Sequence, residues 1–184
     1  MASGTTPAEY RRPVPRYVAF LRGVSPANAR MPDLRRAFQA AGFAEVRTLL
    51  SSGNVAFDAP ASAEDELERR AEQAMRAELG HGFRAIVRSA AHLQALLAAD
   101  PFAEFALPAD AKRVVTFLRP PAACRVALPA ERDGARILTL AGAEAFTAYV
   151  PGAKGPVFMA LLERAFGTDI TTRTLETVRK CARA

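Results

Sequence analysis

The apolar and polar positions of the chain fall into an order of short strands and amphipathic helices. Tyr17-Val18-Ala19-Phe20-Leu21 is β-branched and aromatic and is closed by Arg22-Gly23, which predicts a strand. Met31-Pro32-Asp33 opens a helix, with proline early and an acid in the first turn. Leu34, Ala37, Phe38 and Ala41 form its apolar stripe, and Gly42 ends it. Val46 to Leu50 and Val55 to Phe57 predict two strands around the knot Ser51-Ser52-Gly53-Asn54. Gly53-Asn54 fits a tight turn, because both residues tolerate positive φ. Ser62-Ala63-Glu64-Asp65 reads as a capping box for a helix reaching Leu79, with Leu67, Ala71, Ala74 and Met75 inward and Gly80 as the stop. Phe83 to Arg88 alternates as a strand does. The order is β-α-β-β-α-β, the ferredoxin-like plan.

Ser89 caps a helix carrying Leu93, Leu96 and Leu97, stopped by Asp100-Pro101. After a loop through Asp110, Val114 to Leu118 predicts a strand, and residues 121–128 are ambiguous between a short helix and a loop. Ile137 to Leu140 and Ala145 to Val150 read as a hairpin around Ala141-Gly142. Phe158, Leu161, Leu162 and Ala165 mark a helix ended by Gly167. Ile170 starts a last strand, and Thr174 caps a terminal helix carrying Leu175 and Val178. The expected fold is therefore α+β: two tandem ferredoxin-like (alpha-beta plait) halves, each β-α-β-β-α-β, plus a C-terminal helix. The divisions are a flexible tail over 1–15, a first plait over 16–88, a linking helix and loop over 89–111, and a second plait with its C-terminal helix over 112–184.

Several of these segments carry a resemblance. Tyr17-Val18-Ala19-Phe20-Leu21-Arg22-Gly23-Val24 resembles the Y-x-A-L-L-R-G-I-N-V-G-G opening of a bacterial family, domain of unknown function sixteen-ninety-seven. Met31-Pro32-Asp33-Leu34-Arg35 and Gly42-Phe43 resemble its next segment, and Ser52-Gly53-Asn54-Val55-Ala56-Phe57 its Q-S-G-N-V-x-F motif. Leu162-Glu163-Arg164-Ala165-Phe166-Gly167-Thr168, Thr171-Thr172-Arg173 and Thr177-Val178 resemble its C-terminal motif. The resemblance implies two alpha-beta plaits and no known activity. Where the family has N-V-G-G this chain has Ser25-Pro26-Ala27-Asn28; where it has N-W-N this chain has Thr174-Leu175-Glu176. A family lysine before the last long helix has only Lys154 near it, out of register.

Composition narrows the chemistry. No apolar run among the 184 residues approaches the roughly 18 needed to span a bilayer, so no membrane role is expected. The start of the chain lacks the apolar core of a signal peptide. Two distant cysteines, Cys124 and Cys181, fit buried thiols in a reducing cytoplasm. The net charge of +6 favours anionic partners, and arginine, which suits bidentate anion contacts, supplies most of it. No zinc spacing, nucleophile elbow or Gly-rich phosphate loop is present, so no cofactor or metal is expected. His81 and His92 read as surface histidines. The acids between 64 and 78 alternate with Arg69, Arg70 and Arg76, as on a solvated helix face.

The candidate ligand-binding residues are Arg22, Gly23, Ser25 and Asn28 in the loop after the first strand, Ser52, Gly53 and Asn54 in the hairpin, and Thr171, Thr172 and Arg173 in the second half. The first two clusters are expected at or near opposite ends of the first sheet, each facing the other half across a cleft. The expected function is a non-catalytic binding or regulatory module for a small anionic ligand in that cleft. The alternatives are a metal-independent enzyme using Arg22 and Asn54, an RNA-binding plait stacking bases on Tyr17 and Phe57, and a protein-interaction module, including a homodimer paired sheet to sheet. A purely structural role in turns and caps explains the same clusters equally well.

Overall fold

A computed structural model describes residues 14–152 and 157–184. The tail assigned to 1–15 lies almost wholly outside the described residues, and Lys154 lies outside them. The described chain is mixed α+β with two antiparallel sheets and five helices. The first half runs β1 (Arg16–Leu21), α1 (Met31–Ala40), β2 (Ala44–Leu49), β3 (Asn54–Asp58), α2 (Glu64–Leu79) and β4 (Ala85–Ser89). α3 (Ala90–Ala98) leads to β5 (Lys112–Leu118), β6 (Ala130–Arg132), β7 (Ala135–Ala141), β8 (Glu144–Tyr149), α4 (Val157–Phe166), β9 (Ile170–Thr174) and α5 (Leu175–Cys181). The first sheet has the order β2-β3-β1-β4 and the second β6-β7-β8-β5-β9.

Strand alternation sorts the core into layers. Tyr17, Ala19, Leu21, Val55 and Phe57 point to one face of the first sheet and pack with Leu34, Phe38, Leu67 and Met75 of α1 and α2. Val18, Phe20, Ala56 and Ile86 point the other way and meet Val115, Phe117, Leu138 and Phe146 of the second sheet, with α3 and α5 closing the sides. Phe20 and Phe117 stack at 4.3 Å between centroids at that junction. Each such buried aromatic contributes about 2–3 kcal/mol of apolar burial. α4 covers the far face of the second sheet.

Three local expectations change. Residues 121–128 form no helix: Arg125 donates its N–H across to the Ala165 carbonyl at 2.9 Å, so the segment satisfies its backbone on α4 rather than internally. The strand β6 was not expected; Asp133 (φ 48°) and Gly134 (φ 81°) turn it into β7, the Asp-Gly pair that favours such hairpins. Ala63, not a capping Ser62, precedes α2, and the Ser62 hydroxyl donates to the Pro60 carbonyl at 3.0 Å. By contrast, Ser89 and Thr174 accept the N–H groups of His92 and Thr177 as helix caps.

Candidate functional site

The two polar clusters of the first half lie together, not at opposite ends of the sheet. β1 and β3 are antiparallel, so the end of β1 meets the hairpin that begins β3. Leu21 N–H donates to the Gly53 carbonyl at 2.8 Å. The turn is made by Leu50 (φ 60°) and Gly53 (φ 71°), while Asn54 is already the first residue of β3. A side chain at Gly53 would also come within 2.8 Å of Val24 Cβ, so glycine is required by space as well as by φ.

Arg173 of β9 enters this knot from the second half. Its Nε donates to Asn54 Oδ1 at 2.5 Å. Nη1 donates to Thr171 Oγ1 (2.9 Å) and the Thr172 carbonyl (2.7 Å). Nη2 donates to the carbonyls of Leu21 (2.8 Å), Ser52 (3.0 Å) and Gly53 (3.3 Å). Fully buried Asn54 uses its amide nitrogen on the Leu49 carbonyl (3.1 Å) and Ser52 Oγ (3.0 Å). Burial lowers the Arg173 pKa to about 10, which leaves it charged at neutral pH. Burial also pushes the neighbouring Cys181 thiol up to about 11.

Arg22 crosses the same seam, donating to the Ile170 carbonyl (2.7 Å) and to Glu163 Oε1 (2.9 Å). Asn28 closes its own loop: its side chain accepts from Ser25 N–H (2.8 Å) and donates to the Gly23 carbonyl (2.7 Å). The geometry thus brings Arg22, Gly53, Asn54, Ser52, Thr171, Thr172 and Arg173 into one seam, where the protein's own carbonyls and carboxylates occupy both guanidiniums. Gly23, Ser25 and Asn28 form an adjoining turn.

A second polar assembly was invisible in the sequence. Of the α2 acids, Asp65, Glu66 and Glu78 are exposed as on a solvated face, whereas the other three turn to β4. Glu64, Glu68 and Glu72 accept from Ser89 N–H (3.2 Å), Val87 N–H (2.9 Å) and Ala85 N–H (3.0 Å) along the outer edge of β4. Four helical residues rise about 6 Å and two strand residues about 6.8 Å, so the two ladders stay in phase. Arg119 donates to the Ala85 carbonyl at 2.7 Å and pairs with Glu72 and Glu68. Burial raises the Glu68 pKa, against the opposing pull of Val87 N–H and Arg119. Arg88 is buried between the sheets, with Nε on Glu144 Oε1 at 2.5 Å and Nη2 on the Leu118 carbonyl at 2.7 Å. His92, read as a surface residue, reaches Glu144 Oε2 at 3.2 Å.

Sheet edges decide where the molecule can still pair. The β4 edge is closed by α2, the carbonyls of Ile170 and Thr172 on β9 by Arg22 and Arg173, and β6 has three residues. β2 is different. The Leu21–Gly53 bond sets the phase of the ladder, which turns Arg47 and Leu49 toward β3 and Thr48 outward, while Val46 lies in the bulge and is buried. Among the described residues no side chain caps the outward main-chain groups of Thr48; Arg16 takes the Glu45 carbonyl (2.9 Å) at the bulge. Beside this edge lies a groove of about 600 Å³ lined by Arg35, Gln39, Glu45, Val46, Arg47, Thr48 and Leu49. Among the described residues, Arg35 and Arg47 have no ion-pair partner.

The base-stacking surface expected for RNA is absent from the first sheet. Tyr17 and Phe57 do share a face, but they are buried beneath α1 and α2. The opposite face is covered by the second sheet, so the sheet-to-sheet pairing expected between copies occurs within the chain.

Comparison with known proteins adds a family and a fold. The family model described as "Protein of unknown function (DUF1697)" matches residues 14–146. A conserved bacterial protein of Streptococcus pneumoniae has a similar solved structure, with a TM-score of 0.66 at 18% identity, covering 92% of this chain and 97% of that one. At that identity the likeness speaks for the fold alone. No curated protein matches.

Proposed function

The chain belongs to this family of proteins of unknown function, and from that premise we propose that it is a non-catalytic binding module whose partner adds a strand to the first sheet at β2. The reading treats both halves as alpha-beta plaits. The order β2-β3-β1-β4 is that of a plait. The second sheet repeats it as β7-β8-β5-β9, with β6 added and the first helix missing.

One observation carries the binding site: among the described residues no side chain caps the outward N–H and C=O groups of Thr48 on β2, while N–H groups of β4 and carbonyls of β9 are capped. Unpaired edges are usually blunted, and an added strand is a common way of using one that is not. The small anionic ligand expected between the halves fits this geometry less well, because Arg173 is filled by protein acceptors there and Arg22 is already paired with Glu163. The groove beside β2 keeps the preference for negative charge through Arg35 and Arg47.

The test is selection from a displayed library of random linear peptides, followed by binding to Thr48→Pro. Proline at an outward edge position removes the free N–H without breaking a ladder hydrogen bond. Selected peptides should lose at least tenfold in affinity for the variant. Peptides that bind both proteins equally would overturn strand addition.

A further inference from the structure

We infer that the groove between the start of β5 and α5 binds a small organic phosphate, a dianion carried on a short apolar body. The inference is independent of strand addition at β2. Thr174, which pairs with Val114, is the last residue of β9 and the cap of α5. β5 therefore runs two residues, Lys112 and Arg113, past the end of its neighbour. β8 holds that overhang from the other side, with Lys112 opposite Tyr149 and Arg113 opposite Ala148. Beside the overhang lies a groove of about 310 Å³ whose other wall is α5. That volume falls at the lower end of small-molecule sites.

Strand alternation aims the cations. Val115 and Phe117 belong to the layer that α3 and α5 close, so Arg113 points to the α5 side and Lys112 stands at the rim. Arg179 lines the groove from α5, one turn after Leu175. Among the described residues neither Lys112 nor Arg113 has an ion-pair partner, and Glu176, the one carboxylate of the described lining, is shared between Arg179 and Lys180 at 3.9 Å each. Three cations against one carboxylate leave two positive charges on the groove. A phosphomonoester dianion balances both, and a carboxylate balances one.

The lining is not polar throughout. Leu107 and Leu175 belong to it and continue into the core between the sheets. A ligand with an apolar group beside its phosphate covers that surface, whereas inorganic phosphate leaves it wet. Arg113 and Arg179 each offer the forked donors that phosphate oxygens accept.

The probe is phenyl phosphate, titrated at low salt into the isotope-labelled full chain and followed by amide chemical shifts. The shifts should concentrate on residues 107–113 and 174–179, with a dissociation constant in the millimolar range. Arg113→Met keeps the apolar stem and should weaken binding about tenfold, as should Arg179→Met. Arg164→Met removes a positive charge from α4, on the far face of the second sheet, and should bind as the wild type does. Benzoate has one charge and inorganic phosphate lacks the apolar body, so each should bind about tenfold more weakly than phenyl phosphate. Equal affinity of the wild type and Arg113→Met, or an equal loss in Arg164→Met, would overturn the site and leave only the general pull of a basic chain. Benzoate as tight as phenyl phosphate would overturn the dianion, and inorganic phosphate as tight would overturn the apolar body. Shifts centred on Arg35 and Arg47 would overturn the assignment in favour of the β2 groove. The melting temperature of each variant keeps a folding failure apart from a binding one, and strand addition is read separately, with peptides and Thr48→Pro.

Discussion

Arg173 and Asn54 stand 119 residues apart and share a hydrogen bond of 2.5 Å. The bond fastens the second half of the chain to the hairpin tip of the first. Six acceptors converge on one guanidinium there, two of them from its own strand and four from the other half. Replacing the side chain should leave buried carbonyls without donors. We expect Arg173→Ala to cost about 3–5 kcal/mol, as the loss of a buried hydrogen-bonded charge does. Arg173→Lys keeps the charge and at most three donors, and should recover about half of that. Urea unfolding measures both. An Arg173→Ala cost below about 1 kcal/mol would show that the seam does not depend on this residue.

Gly53 and Gly80 have nearly the same φ and should respond differently to alanine. Both have positive φ, 71° and 75°. A Cβ at Gly80 meets open space, whereas one at Gly53 would press on Val24 Cβ at 2.8 Å. Gly80→Ala should cost about 1 kcal/mol, the penalty of the left-handed region alone. Gly53→Ala adds a clash with backbone-anchored carbons and should cost about 2–4 kcal/mol. Thermal unfolding of the two variants side by side checks the contrast, and equal costs would rule out the steric part.

Glu68 makes stability depend on pH. Burial raises its carboxyl pKa above the ordinary value of 4.5. The folded state therefore holds that proton more tightly than the unfolded state. Its contribution is complete below the ordinary carboxylate pKa and is lost as pH rises through the raised folded value. Glu68→Gln keeps an acceptor for Val87 N–H and does not titrate. The melting temperature of the wild type relative to this variant should therefore decline between pH 4 and pH 8. Asp33 and Asp65, whose pKa values are lowered chiefly by their hydrogen bonds to Arg30 and Arg69, titrate alike in both proteins and cancel from the difference. A difference that rises with pH would show that Arg119, not burial, governs Glu68.

The parts of the molecule legible in the sequence were those set by local rules. The stripe of Leu34, Ala37 and Phe38, the stop at Gly42 and the caps Ser89 and Thr174 are all decided within one or two turns of chain. The Asp133-Gly134 turn is equally local. Residues 64, 68 and 72 already show a spacing that fits one helix face, but their meaning depends on β4 being an edge strand. That follows from sheet order, which no window of sequence contains. The polar motifs around Arg22, Asn54 and Arg173 stood out, yet sequence could not separate binding a ligand from binding each other. Only the convergence of three distant segments on one guanidinium distinguishes them.

The Arg88–Glu144 pair allows the sharpest test of how the sheets are joined. Both side chains are buried between the two sheets, and Arg88 also serves the Leu118 carbonyl. Removing one partner leaves an uncompensated charge in an apolar layer that includes Phe117 and Phe146. Arg88→Met should therefore cost about 3–5 kcal/mol. Glu144→Gln should cost less, because the amide still accepts from Arg88 and the arginine keeps its carbonyl partners and its contact with Glu64. The double variant Arg88→Met with Glu144→Leu replaces both charges with apolar volume. It should be more stable than Arg88→Met alone, since no buried charge remains. His92, which touches Glu144 Oε2 from a half-exposed position, loses only that contact in the double variant. Denaturant unfolding of the wild type, Arg88→Met, Glu144→Leu and the double variant closes a double-mutant cycle. A double variant as unstable as the sum of the singles would mean that the two residues act independently, and that the ion pair does not join the sheets.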